Sequence, residues 1–352
     1  MENKYNLDSH KLHYHYERVC EFLTKGDCYP IYMEVSPVGS CNHRCVFCAY
    51  DYIGYPNRKL EKKRFLEFLD ECKEVGIKSM LYAGEGEPLM HPDIDSFVLK
   101  TKSLDIDVGM FTNGELVVKR LSDEAIGAFT FLRFSINGGD KESYKKIHKK
   151  DVFEKVIDNV RYVKNLKNKN NLKTTIGVQF VLLPENINSI KNLISILRDI
   201  DIDYLSIKPF VLQNEQQGYR YNGFDIDLKE FFKELESMST ETFKVVARVN
   251  AFEKYGKRNY KHCYGCNFIT ILDSRGNLIT CLPYLGDENF MYGNIYINSF
   301  KEIWNGDKRK KIKYKLENTL NVKQCPPNCR PNAINEYLFE LKHPSVEHIN
   351  FI

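Results

Sequence analysis

The sequence predicts an α/β fold: a partial (β/α)6 barrel followed by a small C-terminal domain built from a β-hairpin and helices. Two observations lead to this prediction. Between residues 30 and 240, six short apolar runs alternate with longer amphipathic runs, and such alternation indicates βαβ units around a parallel sheet. Beyond residue 244 the alternation stops, and a hairpin pattern with several cysteines replaces it.

The strand-like and helix-like runs can be placed in order along the chain. The six predicted strands occupy residues 31–36, 79–83, 108–111, 131–136, 175–183 and 204–209. Amphipathic helical patterns lie between them, over residues 60–76, 93–103, 152–166 and 187–200. The polar stretch 213–227 predicts a loop. Apolar residues on both sides of a turn predict the hairpin, with its strands at 268–272 and 278–281.

These elements predict three units: a helical extension at 1–29, the barrel at 30–240 and a cysteine-bearing domain at 241–352. Parallel α/β folds place their chemistry at the carboxyl ends of the strands. We therefore expect the functional residues in the loops that follow the predicted strands.

Composition and charge exclude several classes of protein. Hydrophobic residues make up 43% and charged residues 28%, as in an ordinary globular protein. A net charge of +4 is too small to indicate a nucleic-acid or membrane partner. No apolar run approaches the ~20 residues of a membrane span, and the polar start lacks a signal-peptide pattern. We expect a cytoplasmic protein, without a membrane partner and not a nucleic-acid binder.

A lysine-rich run at 308–315 is the one segment that resembles a nucleic-acid patch. The preferred interpretation is the solvated face of a helix that begins near Asp307, and a basic binding patch is the alternative.

The chain has eleven cysteines and no export signal, which argues against a disulfide framework and favours metal binding. Cys41, Cys45 and Cys48 lie in a loop after the first predicted strand. Three thiolates at C-x3-C-x2-C spacing can hold one face of a 4Fe–4S cube, whose usual complement is four cysteines. The fourth iron then keeps an open position, as in reactive rather than structural metal sites. A structural zinc site and a chance group of buried thiols are the alternatives.

This spacing, with Phe47 before the last cysteine, resembles the signature of the radical S-adenosylmethionine (SAM) superfamily. The resemblance implies that SAM binds the open iron and is cleaved reductively to a 5′-deoxyadenosyl radical, which abstracts hydrogen from a substrate. It also implies an external reductant of the flavodoxin or ferredoxin type. The cofactor then carries the difficult chemistry, and the protein supplies position and shielding.

The loop after the second predicted strand, Gly84-Glu85-Gly86-Glu87-Pro88, resembles the Gly-Gly-Glu-Pro element with which the family holds the amino group of SAM. Glu85 replaces its first glycine. The ends of later strands correspond to further SAM contacts, although the family more often has Asp where this chain has Asn137; Asn-Gly pairs also form ordinary turns. The resemblance implies SAM contacts from Phe47, Gly84, Glu85, Gly86, Glu87, Asn113, Ser135, Asn137, Leu182 and Lys208.

A second cysteine group resembles the SPASM/Twitch extension of this superfamily, C-x9–15-G-x4-C followed by a cysteine pair. Both Cys263 and Cys266 satisfy the spacing to Gly276. The resemblance implies one auxiliary 4Fe–4S cluster, as in the shorter Twitch form; a zinc-ribbon-like site is the alternative, because thiolates suit both metals. The implied ligands are Cys263 (or Cys266), Cys281, Cys325 and Cys329.

Cys266 is spare if Cys263 is a ligand. It is then a candidate hydrogen donor to a substrate radical, and a buried bystander or a ligand in place of Cys263 are the alternatives.

The resemblance predicts a radical SAM oxidoreductase in which the auxiliary cluster accepts an electron during dehydrogenation. Residues before the first predicted strand are too few for a peptide-recognition domain, which favours a small substrate such as a sugar, aminocyclitol or nucleotide-sugar. An epimerase or maturase of a ribosomally made peptide is the first alternative, and a tRNA-modifying enzyme is another. A non-catalytic iron–sulfur electron carrier is the alternative from another class, although carriers ligate each cluster fully.

Overall fold

The computed structural model of the chain describes residues 5–7, 9–210, 223–327 and 329–351. Its ten strands are β1 (Tyr32–Val35), β2 (Ser79–Tyr82), β3 (Asp107–Thr112), β4 (Phe131–Ser135), β5 (Thr175–Leu182), β6 (Tyr204–Pro209), β7 (Lys244–Ala247), β8 (Ile269–Leu272), β9 (Asn277–Ile279) and β10 (Met291–Asn294). They form one sheet in the order β10-β9-β8-β1-β2-β3-β4-β5-β6-β7. Strands β1 to β7 pair in parallel with their neighbours in the sheet.

Helices connect and cover the strands. They are α1 (Tyr16–Lys25), α2 (Lys62–Glu74), α3 (Ile94–Ser103), α4 (Val117–Arg120), α5 (Asp123–Ala128), α6 (Lys141–His148), α7 (Phe153–Lys169), α8 (Ile190–Ile200), α9 (Leu228–Ser237), α10 (Val249–Glu253), α11 (Phe300–Asn305), α12 (Asp307–Asn318) and α13 (Asn332–Lys342). Capping side chains define some of the starts. In α6, the Asp140 carboxylate accepts from the backbone N–H of Ser143, whose side chain completes a capping box, and this satisfies N–H groups that the helix cannot.

The predicted α/β barrel class is confirmed, and each of the six predicted strands is present within two residues of its expected ends. The structure adds a seventh parallel strand, β7, which was not predicted. The hairpin of β8 and β9 is also present, and β8 pairs in parallel with β1. The sheet is therefore continuous across residue 241, where the sequence predicted a domain boundary.

The two faces of the sheet differ in chemistry. Residues on alternate positions of each strand, such as Val178 and Phe180 on β5, pack with the helices in one large apolar core. The residues between them, which face the barrel interior because side chains alternate along a strand, are largely polar or small. Examples are Glu34 on β1, Arg133 on β4 and Gln179 on β5. The fold thus encloses a polar interior that opens at the carboxyl ends of the strands.

Three other expectations can be compared with the structure. The predicted loop at 213–227 lies outside the described residues except for its last five positions. The helix expected near Asp307 is α12, but Arg309 within it is buried and forms two hydrogen bonds of 2.8 and 2.7 Å to the Asp27 carboxylate, so this part of the basic run is not solvated. Among the described helices, none has the length and apolar character needed to cross a membrane.

Candidate active site and auxiliary metal centre

Cys41, Cys45 and Cys48 lie directly after β1, in a loop held against the end of α6. The backbone N–H of Arg44 donates to the carbonyl of His148 at 3.1 Å, and that of Val46 donates to the carbonyl of Ile147 at 2.9 Å. Phe47 packs in a small apolar cluster with Ile147, Leu183 and Phe210. The three cysteines are therefore held at the carboxyl end of the barrel, where the fold places its chemistry.

Neighbouring thiols in this group raise the pKa values of Cys41 and Cys45. Burial raises the pKa of Cys41 to about 12, helped by the charges of Glu87 and Cys48. Burial also raises the pKa of Cys45 well above its usual value, with contributions from both other cysteines. Metal ligation requires thiolates, and three buried thiolates are stable only beside positive charge. The donor set fits a cationic metal cluster.

A buried aromatic and histidine cluster lies behind Cys45. The Nδ1 atom of His148 lies 3.2 Å from the Cys45 Sγ, and its Nε2 accepts from the backbone N–H of Asn137 at 3.0 Å. Burial lowers the pKa of His148 well below its usual value. The neutral ring therefore carries its proton on Nδ1 and donates to the sulfur. Tyr144 stacks on this ring, with a centroid separation of 4.1 Å.

Sequence reasoning missed His148. The available signal was the helical spacing of Tyr144 and His148, four residues apart on α6.

The glycine loop packs backbone to backbone against the cysteine loop. Gly84 has φ of +102°, and a Cβ there would lie 1.7 Å from the Ser36 Oγ. A Cβ on Gly86 would lie 2.4 Å from the carbonyl oxygen of Ser40, just before Cys41. Both positions therefore require glycine, which lets the glycine loop lie directly against residues 36–40, the segment that leads into the cysteine loop. This close fit between the two segments is called the cradle below.

Glu87 joins this loop to the end of β3. Its carboxylate accepts from the Thr112 hydroxyl at 2.6 Å, and from the backbone N–H groups of Asn113 at 2.8 Å and Leu89 at 3.1 Å. Burial raises its pKa to about 7 despite these hydrogen bonds. The Asn113 side chain in turn donates to the Asn42 side chain at 2.7 Å, inside the cysteine loop.

The Glu85 side chain is hydrogen-bonded within the protein. Its buried carboxylate accepts from Arg58 Nη2 at 2.8 Å and from the backbone N–H of Ser274 at 2.7 Å. Ser274 lies in the turn between β8 and β9. Glu85 therefore links the glycine loop to the segment after the cysteine loop and to the C-terminal hairpin, and only its backbone is left to contact SAM.

The four remaining predicted SAM contacts lie on β4 to β6 and at their ends, outside the cysteine and glycine loops. The Asn137 side chain is engaged within the protein: its Oδ1 accepts from the backbone N–H of Val181 at 2.6 Å, and its Nδ2 lies 3.2 Å from His148 Nε2. The Leu182 side chain lies in the apolar core, on the opposite face of β5 from the interior, because side chains alternate. Ser135 and Lys208 are on interior-facing positions of β4 and β6.

The second cysteine group is also brought together. Burial raises the pKa of Cys281 well above its usual value, and the charges of Cys329, Cys263 and Cys325 raise it further. The Cys263 pKa is lowered, chiefly by a hydrogen bond from Cys266. Cys266 itself is buried in the core and its Sγ donates to the carbonyl of Cys263 at 3.1 Å. Cys263 and Cys266 therefore lie together, and Cys266 is the more deeply buried of the two.

Throughout the described ranges, no three His, Cys, Asp or Glu side chains are grouped closely enough to hold a single metal ion.

The two cysteine groups face the same end of the barrel. Cys281 packs with Tyr50 and Ile53, which follow Cys48. Arg330, directly after Cys329, reaches into the barrel interior and forms an ion pair with Glu34 of β1 at 2.8 Å.

Comparisons with known families agree with this geometry. Residues 35–197 match the radical SAM superfamily, and residues 263–330 match the SPASM iron–sulfur cluster-binding domain. The chain is therefore a member of the radical SAM superfamily with a C-terminal SPASM domain. Membership implies a 4Fe–4S cluster and SAM, and the second domain implies auxiliary iron–sulfur binding.

Among curated relatives, the GTP 3′,8-cyclase of Clostridium acetobutylicum is 24% identical, over 74% of this chain and 86% of the relative. The GTP 3′,8-cyclase of Aliarcobacter butzleri is 30% identical, over 37% of this chain and 41% of the relative. The second alignment thus covers less than half of that protein.

Two solved structures show the same fold. SuiB of Streptococcus suis, bound to the precursor peptide SuiA, has a TM-score of 0.64 at 17% identity, covering 86% of this chain and 71% of that one. The anSMEcpe structure with bound AdoMet has a TM-score of 0.58 at 15% identity, covering 89% of this chain and 96% of that one.

Proposed function

We propose that this protein is a radical SAM oxidoreductase that abstracts hydrogen from a small molecule and uses one auxiliary 4Fe–4S cluster as an electron acceptor. When bound, the first cluster and SAM supply reductive cleavage of SAM to a 5′-deoxyadenosyl radical. The observation that carries the proposal is the close packing of the glycine loop on the three-cysteine loop, with the second cysteine group at the same end of the barrel.

Each residue group has a role in this proposal. Cys41, Cys45 and Cys48 hold the first cluster, and His148 donates a hydrogen bond to Cys45. Gly84 and Gly86 hold the glycine loop against the segment before Cys41, so that the loop backbone borders the place where SAM would bind. Phe47 and Asn113 lie on or against the same loop and complete this wall of the site.

We assign the auxiliary cluster to Cys263, Cys281, Cys325 and Cys329. These four thiols are partly exposed and lie within electrostatic reach of one another, whereas Cys266 is buried. Cys266 takes a supporting role as hydrogen-bond partner of Cys263. This assignment replaces the hydrogen-donor role, because Cys266 is buried in the apolar core.

Dehydrogenation is the leading reaction. After one hydrogen atom leaves the substrate, completing the oxidation would release one proton to solvent and one electron. An auxiliary cluster held by Cys263, Cys281, Cys325 and Cys329 would serve as the acceptor of that electron. The substrate classes that suit a polar barrel interior are sugars, aminocyclitols and nucleotide-sugars. A bond-forming cyclisation of a nucleotide is the second candidate, favoured by the likeness to GTP 3′,8-cyclases. The structural likeness to a peptide-bound SuiB also keeps a peptide substrate as a candidate.

The test is anaerobic. The protein is reconstituted with iron and sulfide, SAM and dithionite are added, and 5′-deoxyadenosine is quantified by mass spectrometry. We expect 5′-deoxyadenosine from the wild type, none from Cys41→Ala, and wild-type amounts from Cys20→Ala, a change at an exposed cysteine. A full iron complement and bound SAM without any 5′-deoxyadenosine, also in the presence of sugar phosphates, nucleotides and peptides, would contradict the proposal.

A further inference from the structure

Four cationic side chains converge on the interior of the barrel. Arg133 lies on β4, Lys208 on β6, Arg248 directly after β7, and Arg330 directly after Cys329. We refer to these four residues as the interior basic group. Burial lowers the pKa of Lys208 to about 7, and the charges of Arg133, Arg248 and Arg330 lower it further, which places all four within electrostatic reach of one another.

Among the described residues, little negative charge faces Arg133 and Lys208. Arg330 forms an ion pair with Glu34 and a 2.6 Å hydrogen bond to the Tyr32 hydroxyl. Arg133 lies over the neutral ring of Phe111, 3.4 Å from its centroid. Among the described residues, the Lys208 ammonium has no hydrogen-bond or ion-pair partner. Glu34 is the described carboxylate that faces Lys208, and it already pairs with Arg330. Within the described residues, Lys208 and Arg133 therefore have no carboxylate of their own.

A second observation points to a ligand at the same place. Ser206 lies between Tyr204 and Lys208 on the interior-facing positions of β6. Its hydroxyl is fully buried and has no hydrogen-bond partner within the described part of the chain. A buried hydroxyl without a partner is costly, and buried cations without counter-charge are more so. Anionic oxygen atoms would satisfy both, because they accept from a hydroxyl, an ammonium and a guanidinium alike.

We propose that the interior basic group binds the phosphoryl end of the substrate, so that the substrate is a phosphorylated small molecule. This inference rests on the function proposed above and names the substrate class of that site. Guanidinium groups pair with phosphate oxygens in a bidentate manner. A phosphoryl group also has enough acceptor oxygens to serve Arg133, Lys208 and the Ser206 hydroxyl together, whereas a single carboxylate has two.

The location of the group is consistent with this role. Glu34, its ion-pair partner, is two residues before Ser36, which contacts the cradle glycine Gly84. At the other end, Arg330 is adjacent to Cys329 of the auxiliary group. The interior basic group therefore lies between the elements that surround the two cysteine groups, and a molecule anchored there is held between them.

The test uses inorganic pyrophosphate as the probe and anaerobically reconstituted full-length protein. Binding is measured by isothermal titration calorimetry at constant ionic strength for the wild type, Lys208→Gln, Ser206→Ala and Lys308→Gln. Lys308 is an exposed lysine of α12 and serves as the matched control. We expect saturable binding to the wild type and to Lys308→Gln, at least tenfold weaker binding to Lys208→Gln, and a smaller loss in Ser206→Ala. Circular dichroism and iron content verify that each variant is folded.

Three results would overturn the inference. The first is equal pyrophosphate binding by wild type and Lys208→Gln. The second is a loss of SAM affinity in Lys208→Gln as large as the loss of pyrophosphate affinity, which would assign the group to SAM. Preference for succinate over pyrophosphate would likewise refute a phosphoryl site. Measuring 5′-deoxyadenosine in the same preparations, with SAM, dithionite and the candidate substrates named above, separates the two proposals. Its formation without pyrophosphate binding refutes only this inference, and its absence despite a full iron complement and bound SAM contradicts the proposed function.

Discussion

Glu85 provides a sharp test of how the loops around the site are held. Glu85→Gly creates the Gly-Gly-Glu-Pro element typical of the superfamily, so resemblance alone predicts a neutral or favourable change. The structure predicts the opposite. The substitution removes a buried carboxylate that accepts from Arg58 at 2.8 Å and from the Ser274 N–H at 2.7 Å.

The size of the effect follows from these two hydrogen bonds. Hydrogen bonds to charged groups contribute about 1.5–3 kcal/mol each. Because the Arg58 side chain is 24% exposed and water recovers part of its interaction, a combined loss of about 3 kcal/mol is expected, and the added glycine costs about 0.5–1 kcal/mol more. An unfolding entropy of about 2.1 cal/mol/K per residue then converts the loss, for 352 residues, into a decrease in Tm of about 5 °C.

The assay is thermal unfolding of the reconstituted protein without oxygen, followed by circular dichroism. Glu85→Gln retains one acceptor and should lose about half as much. Glu241→Gly, a change at an exposed glutamate, measures the cost of a new glycine alone. The loss of the hydrogen bonds should place the Tm of Glu85→Gly roughly 4 °C below that of Glu241→Gly. If the two Tm values differ by less than about 1 °C, the Glu85 carboxylate does not stabilise the contact between the glycine loop, the segment that contains Arg58 and the hairpin.

Three further predictions concern the ligands and the cradle. Cys263→Ala should lower the iron content by about four atoms per chain, whereas Cys266→Ala should keep it; the reverse pattern in a colorimetric iron assay would exchange their roles. Gly84→Ala should weaken SAM binding at least tenfold in equilibrium dialysis, because its Cβ would lie 1.7 Å from the Ser36 Oγ, and adding Ser36→Gly should restore part of the affinity; an unchanged affinity in the single variant would exclude a tight cradle. Burial raises the pKa of Glu87 to about 7, so the folded metal-free protein keeps a proton on this carboxyl at pH values where the unfolded chain has released it. The free energy of unfolding should therefore fall as the pH rises from about 4.5 to 7, with a slope of up to about 1.4 kcal/mol per pH unit. Urea unfolding across that range should show a flatter pH dependence in Glu87→Gln, and parallel curves would refute this reading.

The regular elements of the barrel were accessible from the sequence because each carries its own periodic pattern. The missing strand, β7, has only four residues, too few to show a clear alternation. Helix α6 was missed because it is rich in lysine, and its buried face consists of Tyr144, Ile147 and His148. The formation of a short or polar element depends on its tertiary contacts, and a sequence pattern does not show those contacts.

The residues of the candidate site were likewise only partly predictable from the sequence. The three-cysteine loop and the glycine loop were predicted because the ligands of one cluster lie close together in sequence. The hydrogen bond from His148 to Cys45 and the link from Glu85 to Ser274 join residues far apart in the chain, and no local pattern indicates them. The interior basic group is the clearest example of residues that only the fold brings together. Each of its members is a single basic residue in a separate segment, and a single basic residue forms no recognisable sequence motif.

The pairing of β1 with β8 has a consequence for the order in which the protein is made. During synthesis the barrel strands β1 to β7 emerge first, and domains generally begin to fold from the N-terminal end. One edge of β1 stays open until β8, near the C-terminal end of the chain, has emerged and paired with it. An open edge strand invites pairing with other chains, and the three-cysteine loop follows this strand directly. A nascent chain that stalls before β8 should therefore be aggregation-prone, and iron delivered before release from the ribosome would meet an incomplete site.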